Sequence, residues 1–237
     1  MPASEPLRRL LLIGNSRWHW GECVGPRLQR HWDGPALADP PLPDGWAAVG
    51  PLPPSADRDP WRQRQLTTRH IPLLDLPDHV GIDRALAAWS AWTRSDGPVL
   101  VVDAGTALTL TLVASDGRFV GGRILAGAQL QLQALHQGTR LLPQAWVSSA
   151  AALADPWPRA TVEAMGTGVV EGLASAVAGA WSERPRSPDE RAPWSLWLTG
   201  GDGPCLEPLL QRRGLAVRLA PALALEAMAQ LSPVRDP

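Results

Sequence analysis

An α/β fold made of two similar units is what this sequence predicts, and three observations predict it. First, an apolar strand that ends in a small-residue turn occurs twice, as Leu10-Leu11-Leu12-Ile13-Gly14-Asn15 and as Val101-Val102-Asp103-Ala104-Gly105-Thr106. Overlaying the two stretches puts Gly14 on Gly105 with a polar residue after each. Second, strand patterns are followed by helical ones in each half. Third, the breaker Ser95-Asp96-Gly97-Pro98 separates the halves, which divides the chain into units at 1–96 and 97–237. Two such units facing each other create a cleft with one glycine turn on each wall, a natural place for a ligand.

The elements follow in order. Arg8 to Ile13 reads as an apolar strand that stops at Gly14-Asn15-Ser16, and Arg17-Trp18-His19-Trp20-Gly21-Glu22-Cys23 alternates as a returning strand does, giving an amino-terminal hairpin. Residues 34–60 carry eight prolines, which fit neither helices nor central strands. This stretch is therefore loop, apart from a short strand at Trp46-Ala47-Ala48-Val49. An extended piece at His70-Ile71-Pro72-Leu73 precedes a helix opened by Gly81-Ile82-Asp83-Arg84 and carried on by Ala85 to Trp92, good helix formers throughout. In the second half, Val99 to Asp103, Leu108 to Val113 and Phe119 to Ile124 form a three-stranded antiparallel meander, tightened by the turn at Ser115-Asp116-Gly117-Arg118. A helix from Gly127 to His136, a long one from Thr161 to Trp181, a strand Trp194 to Leu198, and closing helices at Leu206–Arg213 and Ala222–Leu231 complete the chain.

Composition narrows the function. With 45% hydrophobic and 19% charged residues in 237, the chain can bury a sizeable core. A net charge of -1 provides no basic field for nucleic acid. The run Leu10–Ile13 is much shorter than a secretory core or a membrane span, so a cytoplasmic protein with neither a nucleic-acid nor a membrane partner is expected. Cys23 and Cys205 have no metal-like spacing. The chain contains no lysine, which rules out a phosphate-loop lysine.

Several residues can carry chemistry, each with a plainer alternative. Gly14-Asn15-Ser16 offers backbone N–H groups and a hydroxyl to a nucleotide's phosphates, or is an ordinary hairpin turn. Asp103 follows a run of apolar residues, where a carboxylate needs a partner, a cleft or a cation, or else shapes the turn. Thr106 can donate to a phosphate oxygen from the same loop. Asp83 and Arg84 pair a proton acceptor with an anion-holding guanidinium, or cap the helix and face solvent. Gly168, Gly172, Ala176 and Ala180 make a small-residue stripe that admits close helix packing, and Thr161 is a good N-cap.

In combination these motifs resemble the type III pantothenate kinases, of the superfamily that joins acetate and sugar kinases, heat-shock chaperones and actin. Gly14-Asn15-Ser16 resembles the family's first phosphate motif, Gly81-Ile82-Asp83-Arg84 its Gly-x-Asp-Arg motif, and Asp103-Ala104-Gly105-Thr106-Ala107 its Asp-x-Gly-Thr-Ala motif. Gly121 to Gly127, Thr161-Val162-Glu163-Ala164, Thr199-Gly200-Gly201 and Pro221 to Glu226 also match in order. The Ile13-Gly14-Asn15-Ser16-Arg17 opening is similar to cyanobacterial members.

The resemblance implies two ribonuclease H-like, actin-like ATPase domains and ATP-dependent phosphorylation of pantothenate to 4′-phosphopantothenate, the first step of coenzyme A synthesis. It implies Asp83 as the general base and Gly81, Ile82, Asp83, Arg84 and Thr161 as the pantothenate site, with Gly14, Asn15, Ser16, Arg17 and Thr106 on ATP. It further implies Mg²⁺, a K⁺ or NH₄⁺ ion held by Asp103, and a homodimer. The chain departs from the pattern at Leu12, where the family has an aspartate, at Leu74, where it has a tyrosine, and at Ala126, where proline is usual. Two other functions compete. A non-catalytic regulatory or binding relative is suggested by Leu12 and opposed by Asp83, Arg84, Asp103 and Thr106. A sugar or acetate kinase is disfavoured by the Gly-Ile-Asp-Arg motif.

Overall fold

The computed structural model describes residues 5–147, 155–185 and 192–232. The chain separates into two compact units, and no single cut divides it. One unit takes the chain up to Arg94, the stretch Gly117–Phe119 and the chain from Ala222 onward; the other takes Ser95–Asp116 and Val120–Pro221.

The first unit is built on a four-stranded sheet of β1 (Leu7–Ile13), β2 (Trp18–Val24), β3 (Arg27–Gly34) and β4 (Gly45–Ala48), in the order β3-β2-β1-β4. β1 runs antiparallel to β2 and parallel to β4. As an inner strand covered on both faces, β1 buries Leu10 to Ile13 without alternation, which is why its sequence is a continuous apolar run. One face of the sheet absorbs tryptophan: Trp18, Trp20, Trp46 and Trp61 cluster with Leu11 and Ile13. Trp46 meets Trp61 edge-on at 5.5 Å and donates its indole N–H to the Trp61 carbonyl at 2.8 Å. The other face carries α1 (Ile82–Thr93) and α5 (Leu223–Leu231), which pack on each other and on the strands. Ala85, Ala87, Ala88 and Ala91 of α1 are fully buried, and their small side chains let the helix approach closely.

The return of α5 to this unit has a physical cause. The buried guanidinium of Arg8 donates to the carbonyls of Ala229 (2.8 Å) and Ser232 (2.7 Å) at the carboxyl end of α5, and to that of Gly25 (2.5 Å). Helix-terminal carbonyls lack partners within the helix, so a buried cation there satisfies them and complements the helix dipole. Two local expectations need amending. The extended piece expected at His70–Leu73 begins instead in one 3₁₀ turn, Thr68–His70, closed by a Thr67 N–H bond to His70 Nδ1 at 3.0 Å. Arg27–Gly34, assigned no element from sequence, is the edge strand β3.

The second unit holds a five-stranded sheet of β5 (Val99–Ala104), β6 (Ala107–Val113), β7 (Phe119–Ala126), β8 (Ser195–Thr199) and β9 (Val217–Leu219), in the order β7-β6-β5-β8-β9. β5 pairs antiparallel with β6 and parallel with β8, which repeats the surroundings of β1. Helices α2 (Ala128–Gly138), α3 (Thr161–Ser182) and α4 (Gly203–Arg212) bury Leu132, Leu173, Val177, Leu206 and Leu210 against Leu100, Val102, Leu108 and Leu198 of the sheet. Among the described residues no helix is long and apolar enough to cross a membrane.

Candidate active site

In the first unit, β1 ends where its chain must reverse into β2. The Gly14 N–H donates to the Arg17 carbonyl at 3.0 Å, which closes the turn and leaves Asn15, Ser16 and Arg17 exposed at the carboxyl end of an inner strand. The Val49 and Gly50 N–H groups both donate to the Ile13 carbonyl, so the loop after β4 is fastened to the same strand end.

Helix α1 begins beside this sheet with Gly81 as its N-cap, and no side chain caps it. Asp83 therefore stands inside the first turn, where the capping alternative does not apply. Its Oδ1 accepts the Arg84 N–H at 2.7 Å. A Cβ on Gly81 would lie 2.7 Å from that oxygen, so a glycine there is what allows the carboxylate to fold back over the helix start. Burial pushes the Asp83 carboxyl above its ordinary range, against the opposing effects of the Arg84 N–H, the Arg84 charge and, more distantly, His19. Burial also lowers Arg84, while Asp83 supports its charge. A half-buried carboxyl raised in this way is a better proton acceptor than an ordinary aspartate. Gly81 and Ile82 also line a cavity of about 390 Å³, completed by Ala48, Val49, Gln65, Thr67, Thr68 and Val80. Thr67 Oγ1 lies 3.0 Å from His70 Nδ1 and Thr68 Oγ1 donates to the Val80 carbonyl at 3.2 Å; neither threonine was singled out in the sequence, because a Thr-Thr pair in a loop carries no pattern of its own.

Sequence reasoning also passed over His19 and Asp33. Leu12 is register-paired with His19, and His19 with Asp33, so the three side chains share one face of the sheet. His19 Nδ1 lies 2.7 Å from Asp33 Oδ1, and Arg17 Nη1 lies 3.7 Å from Asp33 Oδ2. A Cβ on Gly14 would stand 3.2 Å from His19 Nε2, which puts the ring's second nitrogen over the turn.

In the second unit, β5 ends in the corresponding turn. The Gly105 N–H donates to the Ala107 carbonyl at 3.1 Å, Asp103 is half-buried and Thr106 is exposed. Asp103 is register-paired with Thr199 of β8, so the Thr199-Gly200-Gly201 turn lies beside it. Gly200 has φ +88°, and a Cβ there would collide with the Ala104 carbonyl and stand 2.5 Å from Asp103 Oδ1. A Cβ on Gly127 would collide with the carbonyls of Gly105 and Thr106 in the same way. These glycines let the strand-end turns pack backbone against backbone, with the Ala104 carbonyl accepting the Asp202 N–H and the Thr106 carbonyl the Gly127 N–H. Among the described residues no three His, Cys, Asp or Glu side chains gather as metal ligands, so a divalent ion here would depend on ligands that substrate phosphates supply. Thr161 is the first residue of α3 and is exposed; the N-cap is Ala160, not Thr161 as its sequence suggested. Along α3, Gly168 and Gly172 are exposed, and a Cβ on either would meet no described neighbour within 4 Å. This part of the stripe does not pack within the described chain.

A family profile described as type III pantothenate kinase matches residues 61–183. A type III pantothenate kinase of Synechococcus elongatus is 35% identical over 246 residues, covering 95% of this chain and 96% of the relative. Another, from Synechococcus sp. strain JA-2-3B'a(2-13), is 39% identical over 229 residues, covering 92% and 85%. Among solved structures, a Baf-family protein from Campylobacter jejuni superposes with a TM-score of 0.62 at 21% identity, covering 94% of this chain and 96% of that one. The (R)-2-hydroxyglutaryl-CoA dehydratase component A of Acidaminococcus fermentans gives 0.54 at 12% identity, covering 95% and 96%. At such identities the structural matches speak for the fold alone, which is that of the actin-like ATPases and sugar kinases.

Proposed function

Because this chain belongs to the type III pantothenate kinase family and catalyses the ATP-dependent phosphorylation of pantothenate, we propose that Asp83 is the base of the reaction. The observation that carries the proposal is the half-buried Asp83 carboxyl, raised by burial and bent back over Gly81 beside a cavity that Gly81 and Ile82 line. In the proposed mechanism pantothenate enters that cavity and Arg84 holds its carboxylate. Asp83 takes the proton of the primary hydroxyl as that oxygen attacks the γ-phosphorus in line, and ADP leaves. Thr161 is assigned to pantothenate as well, contributed at a subunit contact.

ATP is assigned to the two strand turns, with Gly14, Asn15, Ser16 and Arg17 on one and Thr106 on the other. Backbone N–H groups at glycine turns suit phosphate oxygens, and Arg17 adds charge. A Mg²⁺ ion bound with ATP supplies charge neutralisation on the phosphates. Asp103, a half-buried carboxylate at the end of an apolar inner strand, is assigned to K⁺ or NH₄⁺ as its counter-charge. The open Gly168 and Gly172 on α3, together with exposed Ile124, Leu130, Leu141 and Val162, support a homodimer. A cytoplasmic setting accords with the use of ATP.

The reading is tested by following ADP release in a coupled assay with and without pantothenate, and by identifying the product by mass. Turnover that requires pantothenate and yields 4′-phosphopantothenate is expected. ATP hydrolysis indifferent to pantothenate would overturn the assignment.

A further inference from the structure

The Gly14 turn has to receive phosphate charge in a chain without lysine, so its positive charge must come from arginine, histidine or an ion. Arg17 is one source, and its side chain is 67% exposed. The other cation-capable group at the turn is His19, held far more tightly. Its Nδ1 faces the Asp33 carboxylate at 2.7 Å; a carboxylate only accepts, so Nδ1 carries the proton. That bond fixes the ring's orientation and leaves Nε2 directed over Gly14. The charged groups around the imidazole are Asp33 on β3, Arg17 in the turn and, from α1, Asp83, whose carboxyl His19 helps to lower against the larger effect of burial. The ring thus stands over the turn assigned to nucleotide phosphate, and its charge reaches the carboxylate assigned to the proton.

We propose that His19, oriented by Asp33, is a further substrate-contacting residue, whose Nε2–H donates to a terminal phosphate oxygen of the nucleotide bound at the Gly14 turn. The donor exists only when the ring is doubly protonated, so nucleotide binding draws a proton onto His19. Asp33 is a positioning residue: it sets the tautomer and rotation of the ring and touches no substrate. Arg17 shares the same carboxylate, so it is available to the phosphates without leaving Asp33 uncompensated. The proposal rests on the reading of the Gly14 turn as an ATP site.

The experiment is isothermal titration of the full-length chain with ATP and, separately, with AMP, each in two buffers of different ionisation enthalpy. Wild type is expected to take up protons as ATP binds, seen as a dependence of the binding enthalpy on the buffer. With AMP, which lacks the terminal phosphates, the uptake is expected to be much smaller. His19→Asn keeps an N–H at the place of Nδ1 for Asp33 and loses Nε2 and the titrating ring. It is expected to abolish the uptake and weaken ATP by about tenfold to a hundredfold, the range for one hydrogen bond to a charged group, while AMP affinity stays within about twofold. Asp33→Asn is expected to weaken ATP less than His19→Asn and to leave part of the uptake. Should His19→Asn fail to fold, Asp33→Asn decides: weaker ATP with unchanged AMP supports the proposal, and unchanged ATP overturns it. A folded His19→Asn protein with wild-type ATP affinity or wild-type proton uptake overturns it while leaving the kinase reading intact. Wild type that neither binds ATP nor turns it over with pantothenate removes both.

Discussion

Replacing Asp83 with asparagine separates a base from a helix-start residue, because the two roles predict opposite sizes of effect. The structural consequences are small. Asparagine keeps an oxygen to accept the Arg84 N–H, which Oδ1 of Asp83 holds at 2.7 Å. What is lost is a negative charge in the first turn, worth about 0.3–1 kcal/mol with the helix dipole. Burial works the other way, since it is the largest influence on this carboxyl and disfavours its charged form. The two oppose each other, so the melting temperature is expected to move by no more than about 2–4 °C, the equivalent of 1 kcal/mol in a chain of this size. Catalysis should suffer far more. A positioned base contributes about 10²–10⁴-fold, or roughly 2.7–5.5 kcal/mol of barrier. The assay is single-turnover formation of 4′-phosphopantothenate at saturating ATP, with ATP affinity and thermal melting measured on the same preparation. Near wild-type turnover in a folded variant that binds ATP refutes the base and returns Asp83 to the helix.

Other consequences can be checked alongside. The acid limb of kcat/KM should lie above about 3.9, the ordinary aspartate value, because burial raises Asp83 and activity falls as pH drops through its folded pKa; a limb at or below the ordinary value contradicts the assignment. The same shift ties stability to pH with the opposite sense: the native state holds this proton more tightly than the unfolded chain, so the group's contribution is full at low pH and declines as pH rises through the folded pKa, a decline that Asp83→Asn should remove from melting curves. Activity should rise when Na⁺ is exchanged for K⁺ or NH₄⁺, and Asp103→Asn should blunt the difference; equal rates in sodium-only buffer argue against the cation. Arg8→Ala leaves the carbonyls of Ala229, Ser232 and Gly25 without their buried donor and should cost at least about 2 kcal/mol in urea unfolding. Light scattering should give a dimer, and Gly172→Arg should split it, whereas a fully active wild-type monomer removes the subunit contact.

Elements buried on both faces were legible because burial writes itself into the sequence. Leu10–Ile13 and Val99–Val102 are unbroken apolar runs, and both are inner strands of their sheets. The edge strand β3, Arg27-Leu28-Gln29-Arg30-His31-Trp32-Asp33-Gly34, shows little such pattern, because most of it faces water. Its order is set by pairing with β2 and by Trp32 stacking on Trp20 at 6.3 Å, partners that no local window reveals. The membership of α5 was hidden for a related reason. Its partners in the first unit are α1, the strands and Arg8, the last more than two hundred residues away in the chain.

The candidate site divides along the same line. Gly81, Gly127 and Gly200 could be found from sequence because a glycine fixed by close approach leaves a short, ordered motif, and in the structure neighbouring oxygens stand close to the Cβ each of these lacks. His19 and Asp33 lie fourteen residues apart on different strands, and neither belongs to a motif. What joins them is register. Leu12 pairs with His19 and His19 with Asp33, so one row across the sheet carries an apolar residue, an imidazole and a carboxylate side by side. A single-residue slip of β3 against β2 would send the imidazole and the carboxylate to opposite faces and dissolve the pair. The bulge at Glu22/Cys23 resets the β2–β3 pairing beyond this row, and the aligned segment Trp18–Glu22 keeps His19 opposite Asp33. The charge available to the Gly14 turn is thus determined by strand alignment as much as by residue identity, and a change in β3 that shifted its register would alter the turn's chemistry without touching any residue of its motif.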